Sequence, residues 1–348
     1  MNIERKSLVA ALERVKPALQ ASGKIESFKH VWIDGQRLYA YNGGLGIRVK
    51  WKTDLEPCGI NGAVLLGLLQ SSGAEEVTLD QENNAQLALK MGRATTKLSR
   101  LDADGNPWPF PFRITGTPLS LELTEELIEG LKHAQIVKSA NPQRVEHYGI
   151  TIFPGKDKVA LYSSTGEIIA EVFVKGKISK ELERTVLPFG FVSQLLAFDV
   201  GSKIIFTSDF IIAESNGIQV CSNLLDSSDV YDLPEVVNTT VTGEEKRVAL
   251  PEGFGETMKR AEILAGAEGN SSCIYLSHNK RELEVKGDLK YGVLQDKFPV
   301  SVTGSAKLKV SLDHILGLYG EAEEVAVTEK VLLLYGQGES LYVVAAHG

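Results

Sequence analysis

The sequence predicts an α+β chain of six similar units, each a strand, a helix and three further strands, paired into three similar domains. Three observations lead there. Amphipathic helical patterns recur at a nearly constant interval. The apolar period switches from about 3.6 to 2 between them. A Pro-rich segment and a polar Gly-containing segment then divide the series near one third and two thirds of its length.

The first helix is expected over Ser7–Gln20, where Leu8, Leu12, Val15 and Leu19 share one face and Pro17 disturbs the last turn. The second runs Asn61–Gln70, capped by Asn61 and stopped at Gly73. The third spans Thr124–Lys138 with Thr124 as cap and Leu127, Leu131 and Ala134 repeating. Pro188 opens the fourth, which ends at Phe198. The fifth covers Pro251–Leu264, with Phe254, Met258, Ala261 and Leu264 on one side; the sixth covers Ser311–Tyr319, capped by Ser311. One apolar residue near each start (Leu8, Val64, Leu127, Phe191, Phe254 and Leu312) gives intervals of 56, 63, 64, 63 and 58. Such spacing marks a repeat architecture.

Strands fill the intervals. Phe28–Tyr41 reads as two strands about Asp34-Gly35, followed by Leu45–Trp51. Comparable triplets follow the other helices: Glu76–Leu79, Ala85–Met91 and Thr95–Leu101; Tyr148–Phe153, Val159–Ser163 and Ile168–Lys175; Lys203–Phe206, Phe210–Ser215 and Gly217–Leu224. The last two are Cys273–Ser277, Glu282–Lys286 and Gln295–Val302, then Val325–Val327, Val331–Tyr335 and Ser340–Ala345. Asn42-Gly43, Asn216-Gly217 and Asn279-Lys280 supply turns. Short strands lead into four helices at Leu119–Leu123, Arg184–Leu187, Arg247–Leu250 and Lys307–Val310. A lone unit does not close a core, so units pair. The linkers Asn106–Phe112 and Thr239–Glu245 place the domains at 1–113, 114–240 and 241–348.

Composition narrows the function. The 348 residues are 43% hydrophobic and 24% charged, which excludes a disordered or fibrous chain. The apolar runs Val64–Leu69 and Val331–Tyr335 are too short to span a bilayer, and the charged start Met1–Lys6 does not read as a signal peptide. Cys58, Cys221 and Cys273 are too few and too scattered for a disulfide framework or a zinc site, so a reducing cytoplasm is expected. The net charge of −8 argues against nonspecific coating of nucleic acid, but it is uneven: +3, −7 and −4 over the three domains.

No phosphate loop, dinucleotide fingerprint or Cys-x-x-Cys is present, and the six histidines show no metal-ligand spacing. Asp102 and Asp104 beside Gly105 lack the distal acid of a calcium loop and read as a turn. No cofactor is expected and the chain is read as a non-enzyme. A hydrolase using Cys58 with a histidine is the weakest alternative. A non-enzymatic β-rich repeat protein with a peptide-binding or structural assembly role is the stronger one.

Met258-Lys-Arg-Ala-Glu-Ile-Leu264, Lys307-Leu-Lys-Val-Ser311, Leu341-Tyr-Val-Val-Ala345 and Tyr162-Ser-Ser-Thr-Gly-Glu-Ile-Ile169 sit at the corresponding places of a known family. With the three doubled domains, they make the chain resemble the bacterial-type DNA polymerase III beta sliding clamp over nearly its whole length. The sequence departs from the family at Glu167 and Ile168, which replace the usual His and Arg. It departs again at the tail Ala345-Ala-His-Gly348, a divergence that fits a phage or mobile-element clamp.

The resemblance implies a homodimeric ring of DNA-clamp domains, helices inside and sheets outside, around sequence-independent duplex DNA. The expected DNA-facing residues are Lys6, Arg14, Lys16, Lys24, Lys132, Lys138, Arg144, Lys259 and Arg260. Sparse phosphate contacts position a duplex without reading it, as sliding requires. The resemblance also implies that DNA polymerase and clamp loader dock short linear motifs between the second and third domains. The pocket would comprise Thr165, Gly166, Ile169, Pro234, Leu312, Val343, Val344 and Ala345. Ring closure is expected where Thr95–Leu101, through Leu98, meets Ile263 and Leu264 of a second copy.

Overall fold

The computed structural model describes residues 2–83, 85–102, 118–139, 142–155, 157–176, 182–266 and 272–347. The expected linker Asn106–Phe112 and the turn at Asp104-Gly105 lie outside the described residues.

The first repeat comprises β1 (Asn2–Glu4), α1 (Arg5–Val15), β2 (His30–Ile33), β3 (Arg37–Tyr41) and β4 (Leu45–Lys50). The second comprises β5 (Cys58–Asn61), α2 (Gly62–Ser71), β6 (Glu76–Asn83), β7 (Gln86–Met91) and β8 (Ala94–Asp102). The third comprises β9 (Leu119–Glu122), α3 (Glu125–Gln135), β10 (Gly149–Pro154), β11 (Lys158–Ser164) and β12 (Ile168–Lys175). The fourth comprises β13 (Thr185–Pro188), α4 (Phe189–Leu195), β14 (Lys203–Phe206), β15 (Phe210–Ser215) and β16 (Ile218–Asn223). An additional helix, α5 (Leu233–Thr240), follows. The fifth repeat comprises β17 (Val248–Ala249), α6 (Phe254–Ala265), β18 (Cys273–His278), β19 (Glu282–Leu289) and β20 (Gly292–Pro299). The sixth comprises β21 (Ala306–Ser311), α7 (Leu312–Leu316), β22 (Ala322–Val327), β23 (Val331–Gly336) and β24 (Ser340–Ala345).

Each lead-in strand pairs antiparallel with the first long strand of the neighbouring repeat. β1 joins β6 while β5 joins β2. β9 joins β14 while β13 joins β10. β17 joins β22 while β21 joins β18. This reciprocal exchange ties repeats together two at a time, because each leaves a three-stranded edge that the other's lead-in covers.

The helices differ from the sequence expectations at their ends. Pro17 turns the end of the first into a 3₁₀ turn, Lys16–Ala18. Asn61 accepts the Val64 amide at 3.1 Å and Thr124 accepts that of Leu127 at 3.1 Å, as caps should. Ser311 precedes α7 without a side-chain cap, and α7 is only one turn or so, followed by a 3₁₀ turn at Tyr319–Glu321. The residues marking the repeat are buried, except Val64, which is 49% exposed and lies on the outward side of α2.

Two compact units emerge: Met1–Leu123 with Ser193–Leu224, and Thr124–Val192 with Leu225–Gly348. The first contains a twelve-stranded sheet ordered β1-β6-β7-β8-β5-β2-β3-β4-β16-β15-β14-β9. Leu8, Leu12 and Val15 of α1 and Leu65 and Leu69 of α2 are its innermost helical residues. The second contains an eight-stranded sheet, β13-β10-β11-β12-β24-β23-β22-β17, and a four-stranded sheet, β20-β19-β18-β21. There α3 lies on β11 and β12, so closely that a Cβ on Gly130 would stand 2.3 Å from the Val174 side chain. Alternation splits the neighbours on the eight-stranded sheet. Ile168, Ala170, Tyr342 and Val344 face a core shared with Met258, Ala261, Leu312 and Ile315 of α6 and α7. Tyr162, Ile169, Leu333 and Val343 face Leu233 and Val237 of α5.

Candidate nucleic-acid and partner-binding surfaces

On α1 the buried stripe of Leu8, Leu12 and Val15 leaves Lys6, Ala10 and Arg14, four residues apart, exposed on the opposite side. Lys6 and Arg14 make no ion pair among the described residues, and neither do Lys24 and Lys259, which are also exposed. These four cations are therefore available to an anion.

The other five expected cations already have partners. Lys16 pairs with Glu13 at 3.2 Å, and Lys132 with Glu129 at 2.5 Å. The Lys132 bond holds the Glu129 carboxyl below its usual range. Lys138 lies over the Phe189 ring at 5.7 Å. Arg144 stacks on Tyr231 at 3.7 Å and binds the buried Glu146, which raises its own pKa. Arg260 bonds to Thr257 and Asp296; that hydroxyl, then the guanidinium, hold the Asp296 carboxyl low. The outward side of α3 is mostly acidic, with exposed Glu125, Glu126 and Glu129 beside Lys132. An exposed pair is worth well under about 1 kcal/mol and yields readily to a phosphate.

The expected peptide pocket lies wholly within the second compact unit, and the structure gathers half of it. Ile169 of β12 and Val343 of β24 are direct cross-strand partners. Both pack with Leu233 and Val237 of α5, beside the half-exposed Pro234. The adjoining turn is built on Gly166 at φ +94°, with the Thr165 hydroxyl accepting the Ile168 amide at 3.1 Å. Ala345 donates its amide to the Glu167 carbonyl at 2.9 Å, and the Glu167 carboxylate meets His314 of α7 at 3.0 Å. Val344, by contrast, is sent by strand alternation to the other face of the sheet, where it is fully buried in one core with Leu312 of α7. They support the pocket from beneath instead of lining it.

The sequence reading missed α5, which supplies Leu233 and Val237. Its signal is legible in hindsight: Asp232 caps the Glu235 amide at 3.1 Å, with Pro234 in the first turn.

The self-association residues divide similarly. Ile263 is 73% exposed, Tyr291 and Val293 are exposed as well, and the Tyr291 amide bonds to the carbonyl of the adjacent Leu264 at 2.9 Å. β20 is the end strand of its sheet. β8 is not free along its whole length. Among the described residues, Ala94–Ser99 pairs with β7 on one side only, whereas Arg100–Asp102 pairs with β5. Leu98 itself is buried at 6% exposure.

No described helix is long and apolar enough to cross a membrane, and no described cluster of His, Cys, Asp or Glu could hold a metal. Cys58 is fully buried, the environment of a small core residue.

No family model matches the chain, and no curated protein matches it. Solved structures do. A putative DNA polymerase III beta subunit from Eubacterium rectale aligns over 100% of this chain and 99% of its own, with a TM-score of 0.84 at 12% identity. A sliding clamp from Bartonella birtlesii bound to griselimycin gives 0.85 at 17% identity over the same shares. A Helicobacter pylori beta clamp bound to a DNA ligase peptide gives 0.79 at 16%, again over 100% and 99%. From end to end, the chain has the fold of the DNA polymerase III beta sliding clamps.

Proposed function

We propose that the protein is a DNA sliding clamp: a non-enzymatic, cytoplasmic processivity factor that closes as a homodimeric ring around duplex DNA. It tethers DNA polymerase and the clamp loader through short linear motifs. The observation that carries this reading is the full-length likeness to clamps at TM-scores up to 0.85. The thrice-repeated exchange of lead-in strands supports a division into domains at 1–113, 114–240 and 241–348.

In this reading Lys6, Arg14, Lys24 and Lys259 make the standing phosphate contacts. Lys16, Lys132, Lys138 and Arg260 add to them by exchanging an internal partner for DNA, and Arg144 adds its charge while still held by the buried Glu146. Contacts that are few and salt-weakened let the ring move. The β8 segment Ala94–Ser99 and the end strand β20, with Ile263 and Leu264 beside it, close the ring between copies. Isologous closure removes both edges. Thr165, Gly166, Ile169, Pro234, Val343 and Ala345 seat the partner motif over Leu312 and Val344. A Helicobacter pylori clamp bound to a ligase peptide supports a peptide-seating role for this fold.

Electron micrographs of the purified protein test the reading. Dimeric particles with a central hole wide enough for duplex DNA are expected. Solid or open-ended particles would refute it.

A further inference from the structure

The four-stranded sheet β20-β19-β18-β21 buries one face against α6 and α7, through Ile274, Leu276, Val285 and Val310. Its other face is solvent-exposed and carries an unusual row. Tyr275 in β18 is the cross-strand partner of Lys286 in β19 and of Lys309 in β21. Tyr275 is 39% exposed, and the Lys307 ammonium lies 4.8 Å from the centre of its ring. None of Lys286, Lys307 and Lys309 makes an ion pair among the described residues. Beside the row, reaching the last residue of α6, Ala265, opens a hollow of about 510 Å³, lined also by Tyr275, Asp288, Lys290, Lys309 and His347.

The acids on this face are largely engaged. Glu284 accepts from Gln295 at 2.7 Å and from Ser277 at 3.4 Å, and Glu282 pairs with Lys297 at 3.3 Å. Glu284, bonded to neutral side chains, keeps its charge, as does Asp288 at the hollow, so Lys286, Lys297, Lys307 and Lys309 outnumber Glu282, Glu284 and Asp288 on this face by four to three. A net positive sheet face in a chain of net charge −8 is not a product of overall composition.

We propose that this face binds single-stranded nucleic acid, with a base stacked on Tyr275 and the flanking phosphates on Lys286, Lys307 and Lys309. An exposed aromatic ring between lysines on a sheet supplies both halves of sequence-tolerant single-strand binding: a π face for the base and cations for the backbone. A duplex keeps its bases stacked inward and has nothing to offer the tyrosine. An acidic peptide would satisfy the lysines but leave the ring unused. The site stands independently of the clamp reading, because it lies on the sheet face turned away from α6 and α7.

Fluorescence anisotropy with a labelled oligothymidylate, titrated with the full chain at several salt concentrations, tests the proposal. Tyr275→Ala is expected to weaken binding roughly ten-fold, the loss of one stacked base, while Tyr275→Phe retains it. Lys286→Ala with Lys309→Ala is expected to lower the slope of log K against log salt by about 1.4, two single-strand phosphate contacts. Neither change alters thermal melting or retention on circular duplex DNA, which reports the clamp reading separately. The proposal fails if the wild type does not bind the oligonucleotide or if Tyr275→Ala binds as tightly as wild type. It fails equally if polyglutamate displaces the oligonucleotide at matched charge, which would mark an acidic-peptide surface.

Discussion

Glu171 is nine-tenths buried beside Tyr162, whose hydroxyl donates to it. Burial is the dominant influence and raises the carboxyl pKa, despite the hydrogen bond that opposes it. The folded state therefore holds a proton that the unfolded chain releases. Its contribution to stability is complete below the unfolded pKa and is lost as pH rises through the folded one. Glu171→Gln keeps an acceptor for Tyr162 without the charge. It is expected to raise the melting temperature at pH 8 and to flatten the fall in stability above the ordinary carboxylate range, as calorimetry across pH would show. Ile263 presents the opposite situation, an apolar side chain left in water at 73% exposure. Ile263→Asp is expected to leave the monomer fold intact and to weaken self-association at least ten-fold, given roughly 1.5–3 kcal/mol for burying such a side chain. Sedimentation equilibrium measures it.

At the scale of elements, α5 is expected to decide whether the partner pocket exists. Asp232→Ala removes the cap on the Glu235 amide and should cost about 1 kcal/mol in denaturant unfolding. Because Leu233 and Val237 form one wall around Ile169 and Val343, the same change should weaken a clamp-binding peptide in a calorimetric titration. The helices that follow the repeat were legible in the sequence because each needs only a local stripe such as Leu8, Leu12 and Val15. β1 and β5 were not, since three and four residues such as Asn2–Glu4 and Cys58–Asn61 carry no period, and each pairs with a strand of the other repeat. The state of the cations was hidden for the same reason. The partner of Arg260 is Asp296, 36 residues away, and only the packing of α6 against β20 brings them together. Val343 and Val344 were legible as strand neighbours on alternate faces, but not that both faces of their sheet are covered, one by α6 and α7 and the other by α5.

At the scale of the whole molecule, the repeat is what connects sequence to function. Six lead-in strands exchanged in three pairs make one pattern recur along the chain, and that pattern matches clamps over its full length at identities of 12–17%. A fold can persist at such identity because it asks only for apolar residues at the right period, whereas individual surface charges are free to change. A sliding clamp of this fold would hold duplex DNA by topology instead of by affinity. The direct measurement is retention of the protein on nicked circular DNA by gel filtration, before and after a single cut linearises that DNA. Co-elution with the circle at moderate salt is expected, with loss of the protein once ends are present. Retention that is indifferent to the cut would contradict it.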